Sequence, residues 1–281
     1  MSAAPVNRII PYSSVDGPGN RTVFFFQGCN FNCGYCHNPE TIGLCSNCGA
    51  CVSVCPTGAI RMEDGVVRYR REVCCGCDAC LCACPRSASP KVDWMEPEEG
   101  IELLRQYRPF IRGVTVSGGE CTLRRAFVIR LFEGAKEMGL HTLMDSNGNY
   151  DFSADEPLLR VCDGVMLDVK CVNAKAHRAL TGRENDLVLK SLSFLASAGK
   201  LEEVRTVVVP DLLPNEDTVR RVCEKLSPHW RQGARIGYKL IRFRPLGVRA
   251  NYRSVAVPDM QTMDALSRIA LDAGCPRVLV V

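Results

Sequence analysis

Thirteen of the eighteen cysteines in this chain of 281 residues lie between Cys29 and Cys84. No other feature limits the fold so strongly. A disulfide scaffold needs an oxidising compartment and is usually built on a small secreted chain. Here residues 1–11 are broken by prolines and polar side chains and lack the apolar stretch of a secretory signal, so a cytoplasmic protein with reduced thiols is expected. The longest apolar runs, residues 23–26 and 278–281, fall far short of the roughly 18 residues of a membrane span. Thiolates gathered for metal remain as the explanation.

The clustered cysteines form three groups. Cys29, Cys33 and Cys36 make a C-x3-C-x2-C; Cys45, Cys48, Cys51 and Cys55 are followed by Pro56, and Cys74, Cys77, Cys80 and Cys84 by Pro85. The second and third groups share the spacing C-x2-C-x2-C-x3-C-P, the bacterial ferredoxin run, in which the fourth cysteine ligates the other cluster. The spacing therefore assigns Cys45, Cys48, Cys51 and Cys84 to one [4Fe-4S] cluster, and Cys74, Cys77, Cys80 and Cys55 to a second. A pair of zinc sites is the competing reading, but zinc ribbons use two separated pairs rather than one continuous run of four. Cys75 and Cys82 fall outside the spacing. Cys121, Cys162, Cys171, Cys223 and Cys275 are scattered singly and read as buried thiols. The first group has only three cysteines, which leaves one iron of a cubane open to a small molecule.

Outside residues 45–88 the chain alternates strand and helix. Residues 21–27 form a short apolar run of the buried parallel type, and 113–117, 141–146, 164–168, 204–209 and 235–241 are five more candidate strands. Helix-length segments at 98–107, 123–137, 154–161, 187–198, 215–226 and 258–273 lie between or beyond them. Six βα units imply an α/β protein with a parallel sheet and right-handed crossovers, a partial barrel, divided as residues 1–44 and 89–281 with 45–88 inserted. The loops after the strands carry Ser117-Gly118-Gly119-Glu120, Asp145-Ser146-Asn147-Gly148 and Met166-Leu167-Asp168-Val169-Lys170, where such folds place their chemistry. Glycine there admits a ligand to the backbone, and the carboxylates and amide can hold an amine or hydroxyls. A composition of 46% hydrophobic and 23% charged residues excludes wholesale disorder, and a net charge of +4 gives no reason to expect nucleic acid. The acid-free segment carrying Arg231, Arg235, Lys239, Arg242, Arg244, Arg249 and Arg253 reads as a solvated basic face, with a surface for an anionic ligand or a protein as the alternative.

Cys29-x3-Cys33-x2-Cys36 with Tyr35 before the last cysteine, together with Gly118-Gly119-Glu120, resembles the radical S-adenosylmethionine (SAM) superfamily. Residues Ser14-Val15-Asp16-Gly17-Pro18-Gly19-Asn20-Arg21, then Phe26-Gln27-Gly28-Cys29 and Tyr35-Cys36-His37-Asn38-Pro39, narrow the resemblance to the activating enzymes of glycyl radical enzymes, relatives of pyruvate formate-lyase activase. The two-run insert is most similar to that of the YjjW-type activases. The resemblance implies a partial (β/α)6 TIM-like radical SAM barrel with an inserted ferredoxin-like 2[4Fe-4S] domain, hence three clusters. It implies an oxidoreductase in which SAM, bound to the open iron of the Cys29/Cys33/Cys36 cluster, is cleaved to methionine and a 5'-deoxyadenosyl radical. That radical takes hydrogen from a glycine Cα of a partner glycyl radical enzyme, with a flavodoxin or ferredoxin as reductant, in an oxygen-sensitive, monomeric protein.

The same resemblance implies roles for single residues. Gly118, Gly119 and Glu120 would receive the methionine amino group, and Tyr35, Cys36 and His37 would line the adenine side. Asn147, Asp168, Lys170 and Arg205 would hold ribose and carboxylate. Asp145, Ser146, the Met166 backbone and Asp168 would bind a monovalent cation, Na+ or K+, and Asp16 would face the entering glycine. Relatives carry a histidine near SAM where this chain has Phe243-Arg244-Pro245, which makes Arg244 a further candidate for SAM. Two other readings stand beside this one: a radical SAM enzyme acting on a small molecule or nucleotide precursor, and a ferredoxin-type electron carrier, which would not cleave SAM.

Overall fold

The computed structural model describes residues 3–281. Two compact units account for the chain: residues 1–30 with 38–140, and residues 31–37 with 141–281.

In the first unit, β1 (Ala4–Ser13), β2 (Arg21–Phe26), β5 (Asp93–Met95) and β6 (Gly113–Gly118) form a sheet in the order β5-β1-β2-β6. β2 and β6 run parallel, with Phe24 opposite Val116, while β1 is antiparallel to both β2 and β5. Buried Phe24 and Phe26 on β2 face a core shared with α2 (Pro97–Tyr107) and α3 (Arg125–Glu137), while buried Val23 points to the other face of the sheet. Phe26 meets Phe127 of α3 edge-on at 5.3 Å, the orientation aromatic quadrupoles favour. Helix α2 starts at a capping box in which Glu96 and Glu99 satisfy each other's backbone N–H groups. Residues 45–88 lie in this unit and carry little regular structure: a hairpin of β3 (Ile60–Glu63) and β4 (Val66–Tyr69) and the single turn α1 (Ala79–Cys82).

In the second unit, β7 (His141–Ser146), β8 (Gly164–Asp168), β9 (Leu201–Val208), β10 (Gly237–Arg242) and β11 (Val278–Val280) are parallel in sequence order. The connections are α4 (Glu156–Val161), α5 (Ala174–Thr181) with α6 (Asp186–Ser197), α7 (Asn215–Arg231) and α8 (Met260–Asp272). This is the α/β, mostly parallel architecture that the alternation predicts. The register sets the chemistry: Asp145, Met166 and Glu203 are opposite one another in one row, and Asp168, Arg205 and Lys239 in the row two residues on, so both rows share a face. Among the described residues no helix is long and apolar enough to cross a membrane.

Candidate active site

The stretch that ends in Cys29 is fixed from below by backbone. Gly119 N–H donates to the Phe26 carbonyl at 2.9 Å and Glu120 N–H to the Gly28 carbonyl at 2.8 Å, while Gly28 and Cys29 donate to Thr41 and Ile42 at 2.8 and 3.0 Å. The glycines are obligatory. A Cβ on Gly118, whose φ is +116°, would lie 2.2 Å from the Phe26 nitrogen, and one on Gly119 would lie 2.1 Å from the Gly28 carbonyl oxygen. Gln27, one residue before, donates its amide to the Glu40 and Gly43 carbonyls at 2.6 Å each and takes a bond from Asn7 at 2.9 Å. The buried Glu120 carboxylate accepts from the Thr122 N–H at 3.1 Å and hydroxyl at 2.8 Å, capping the turn that follows.

The loop containing Asp16 is held just as firmly. Fully buried Arg21 donates to the Thr115 hydroxyl at 2.8 Å and to the Val114 carbonyl at 2.7 Å, and the Thr115 hydroxyl donates to the Asp16 carbonyl at 2.7 Å. The Asp16 carboxylate accepts from Ser13 at 2.5 Å.

In the second unit Cys33 and Tyr35 are buried, and Cys36 and His37 half-buried. Tyr35 packs among Cys171, Leu180, Leu213, Phe243 and Val248, and its hydroxyl is buried without a hydrogen-bond partner. Lys170 Nζ lies 6.0 Å over the Tyr35 ring and 2.8 Å from Asp168. Burial opposes the charge on Lys170, but Asp168 outweighs it, with help from Tyr35 and Cys33, and holds the ammonium well above its usual pKa. Burial pushes the Cys33 thiol up to about 11 against the pull of Lys170, so a thiolate there needs a metal or an added cation to persist. The His37 Nε2 donates to the Arg244 carbonyl at 2.9 Å; Arg244 thus meets His37 through its backbone. Burial, the main cause, keeps His37 below the usual imidazole pKa, and its ring sits 5.9 Å from Phe243.

Arg205 is buried, and each of its three nitrogens has a partner. It pairs with Asp145 at 3.0 Å and Glu203 at 2.8 Å, and a third nitrogen reaches the Met166 sulfur at 2.8 Å. Desolvation resists its charge, but the two carboxylates keep it above the ordinary guanidinium value. Lys239 approaches Glu203 at 3.4 Å. Glu203 was not singled out from the sequence, although the i, i+2 spacing of Glu203 and Arg205 on one strand puts both on one face; Lys239, read as part of a solvated basic face, instead has its side chain largely buried beside Glu203. Ser146 and Asn147 accept from the Gly148 and Asn149 N–H groups at 3.1 and 2.9 Å, which shapes the turn after β7. Among the described residues no three His, Cys, Asp or Glu side chains are gathered at the spacing of a single ion, the Asp145–Asp168 group included.

The insert does collect cysteines. One small pocket is lined by Cys55 of the first run together with Cys74, Cys77 and Cys80 of the second, and by Cys75 and Lys91. Burial raises the Cys51 thiol, and the charges of Cys45, Cys80 and Cys84 add to that. The donor set suits thiolates bound to iron. Backbone N–H groups of Ile60, Thr57 and Ala59 hold Cys55 below the usual thiol pKa, and the Gly76 N–H and the Tyr69 hydroxyl do the same for Cys74. Asn47, Gly76 and Ala88 donate to Cys45, Cys74 and Cys84 at 3.4 Å each. The two runs also repeat in backbone: positive φ occurs at Asn47, Gly49 and Gly58 and again at Gly76, Asp78 and Ser87, at equal offsets from Cys45 and Cys74.

Comparison with known proteins follows the same lines. The model of the radical SAM superfamily matches residues 23–226. The chain is 34% identical to the pyruvate formate-lyase 1-activating enzyme of Escherichia coli (strain K12), over 78% of this chain and 74% of that one. It is 30% identical to the choline trimethylamine-lyase activating enzyme of Oleidesulfovibrio alaskensis, over 87% and 85%. Among solved structures, Streptococcus suis SuiB bound to S-adenosylmethionine shares the fold with a TM-score of 0.58 at 12% identity, over 92% of this chain and 51% of that one.

Proposed function

The chain belongs to the radical SAM superfamily and, within it, to the glycyl-radical enzyme activating enzymes, and from that membership we propose how its own residues divide the work. The enzyme cleaves SAM reductively to methionine and a 5'-deoxyadenosyl radical, and the radical takes a hydrogen atom from one glycine Cα of a partner glycyl radical enzyme. When bound by Cys29, Cys33 and Cys36, a [4Fe-4S] cluster supplies the electron for the sulfonium and leaves one iron for the amino and carboxylate groups of SAM.

The chain's side chains bind and orient. Gly118 and Gly119 present backbone to the methionine amino group, with Glu120 holding their turn in shape. Tyr35, Cys36 and His37 receive the adenine side, where a neutral His37 fixed to the Arg244 carbonyl offers an apolar ring face. Lys170, kept charged by Asp168, faces the carboxylate; Asn147, Asp168 and Arg205 complete the ribose and carboxylate contacts, and Arg244 remains a side-chain candidate. A monovalent cation at Asp145, Ser146, Met166 and Asp168 belongs to this reading, as does Asp16 at the entry of the partner glycine. Cys45, Cys48, Cys51 and Cys84, and Cys74, Cys77, Cys80 and Cys55, would hold two further [4Fe-4S] clusters in a ferredoxin-like insert, residues 45–88, within a partial (β/α)6 barrel. A flavodoxin or ferredoxin in the cytoplasm is the reductant, and the monomer is the active form.

The observation that carries the reading is the backbone pairing of Gly118-Gly119-Glu120 with Phe26-Gln27-Gly28 directly before Cys29. It ties a turn that only glycine can form to the three-cysteine stretch. The test is anaerobic reconstitution, then reduction with dithionite in the presence of SAM. About twelve irons per chain and release of 5'-deoxyadenosine are expected, followed by a glycyl radical signal on a co-expressed partner. Absence of SAM cleavage with iron fully loaded would refute it.

A further inference from the structure

Five cysteines, not four, line the pocket of the insert: Cys55, Cys74, Cys75, Cys77 and Cys80. A cubane takes four thiolates, so one thiol is in excess. The two runs match in spacing and in backbone, yet they part at their second position, where the first has Ser46 and the second Cys75.

Three of the five are fixed. Cys55 is cradled by the N–H groups of Ile60, Thr57 and Ala59. Cys74 accepts from the Gly76 N–H at 3.4 Å and from the Tyr69 hydroxyl. Cys80 is buried against Cys51 and Ile60. Cys75 and Cys77 are both exposed and flank Gly76, whose φ is +71° and where a Cβ would meet nothing within 4 Å. Both side chains line the pocket, and the glycine between them leaves the backbone a wide choice of conformation.

We propose that Cys75 is an alternative ligand at the fourth iron of this pocket, interchangeable with Cys77. The inference rests on the reading of the second run as cluster-binding. On exchange the incoming thiol gives its proton to solvent and the departing thiolate takes one up; iron, sulfide and electron counts do not change. The insert thereby keeps its cluster when one exposed cysteine is oxidised or alkylated, a hazard for accessible thiolates.

The experiment loads the full chain anaerobically with ferrous iron and sulfide and reads iron per chain and the electron paramagnetic signal of three-iron clusters. Cys77→Ala and Cys75→Ala should each keep the wild-type iron content with no three-iron signal, whereas the double variant should lose between one and four irons of about twelve and show that signal. If Cys77→Ala alone behaves like the double variant, the exchange is overturned. Cys55→Ala/Cys74→Ala separates the two ideas: if it loses no iron, the pocket holds no cluster and the proposal falls with that reading. A second measurement needs no variant. Brief alkylation of the loaded wild-type protein, mapped by mass, should label Cys75 and Cys77 in separate molecules; label confined to Cys75 would also overturn it.

Discussion

The two cysteine-rich regions are built on opposite principles. In the stretch from Phe31 to His37, Cys33 and Tyr35 are buried and packed against α5 and the segment around Phe243, and Asn32 and Gly34 donate to the Thr181 and Leu180 carbonyls at 2.8 and 3.0 Å. In the insert, Cys45, Cys48, Cys75, Cys77 and Cys82 are exposed, and the buried apolar residues are Cys51, Ala59, Ile60, Cys80 and Ala88 with a few half-buried neighbours. A core of that size cannot offset the ordering entropy of about forty residues. On the proposed reading, the first region is shaped by protein packing and then receives its metal, whereas the second would owe its shape to its clusters.

Two experiments strain that contrast hardest. Cys33→Ala removes a thiol from the prepacked stretch, and formation of 5'-deoxyadenosine should fall below detection while the thermal transition stays close to wild type. A large drop in thermal stability instead would mean that the metal also shapes this stretch. Stripping the iron with a chelator under oxidising conditions should act the other way round. Trypsin should then cut quickly within the insert, at Arg61, Arg68, Arg70, Arg71 and Arg86, while residues 141–281 stay resistant. Equal protection of the insert with and without iron would dissolve the distinction.

The same contrast explains what could be read in advance. The strands at 141–146 and 164–168 were legible to the residue, the second as a short apolar run of the buried parallel type and the first from an apolar pair, Leu143 and Met144, leading into the polar stretch Asp145 to Gly148. β1 was not, because Pro5 and Pro11 argue against a strand; register shifts between Val6 and Arg8 and between Ile10 and Ser13 let the chain pair despite them. α5 was also missed. It has only eight residues, although Asn173 caps its start and Gly182, at φ +76°, ends it. α7 runs to Arg231, past Pro228, because Trp230 is buried and donates to the Ile236 carbonyl at 2.9 Å, a tertiary contact invisible in local sequence. At the site, the cysteine spacing was fully legible, but the Arg205–Asp145–Glu203 association depends on strand register, which no motif encodes.

Glycines give a finer version of the comparison. Ala at position 119 would drive Cβ to 2.1 Å from the Gly28 carbonyl and 2.9 Å from that of Thr41, both backbone atoms with no rotamer to yield. Gly119→Ala should therefore cost about 2 kcal/mol or more, read as a lowered thermal midpoint, and SAM cleavage should be lost with it. Gly65, in the turn of the insert's hairpin, has φ +76° and nothing within 4 Å of its Cβ position. Asn tolerates that conformation, so Gly65→Asn should shift stability by no more than about 0.5 kcal/mol. If the two substitutions cost the same, close packing around Gly119 is not what fixes the turn.

An effect seen only as pH falls concerns His177, which packs edge-on beneath Phe31 at 5.4 Å. It is fully buried, its Nδ1 lies 3.2 Å from the Cys171 carbonyl, and its Nε2 has no hydrogen-bond partner. Burial is the largest influence and lowers its pKa; the Cys171 carbonyl and Glu184 pull it up, and Lys170 pushes it further down. The folded state thus holds His177 neutral, while the unfolded chain protonates near pH 6.5. Above that pH the group adds nothing to the pH dependence. As pH falls through 6.5 the unfolded state binds the extra proton and stability drops, until the lower folded pKa is reached. Each unit of depression amounts to about 1.4 kcal/mol. Denaturant midpoints measured from pH 8 to pH 5 should be flat at first and then fall in the wild type. In His177→Gln, which cannot titrate, that part of the acid slope should vanish. An unchanged slope would mean that His177 protonates inside the fold without penalty, and that the packing beneath Phe31 is looser than the buried ring implies.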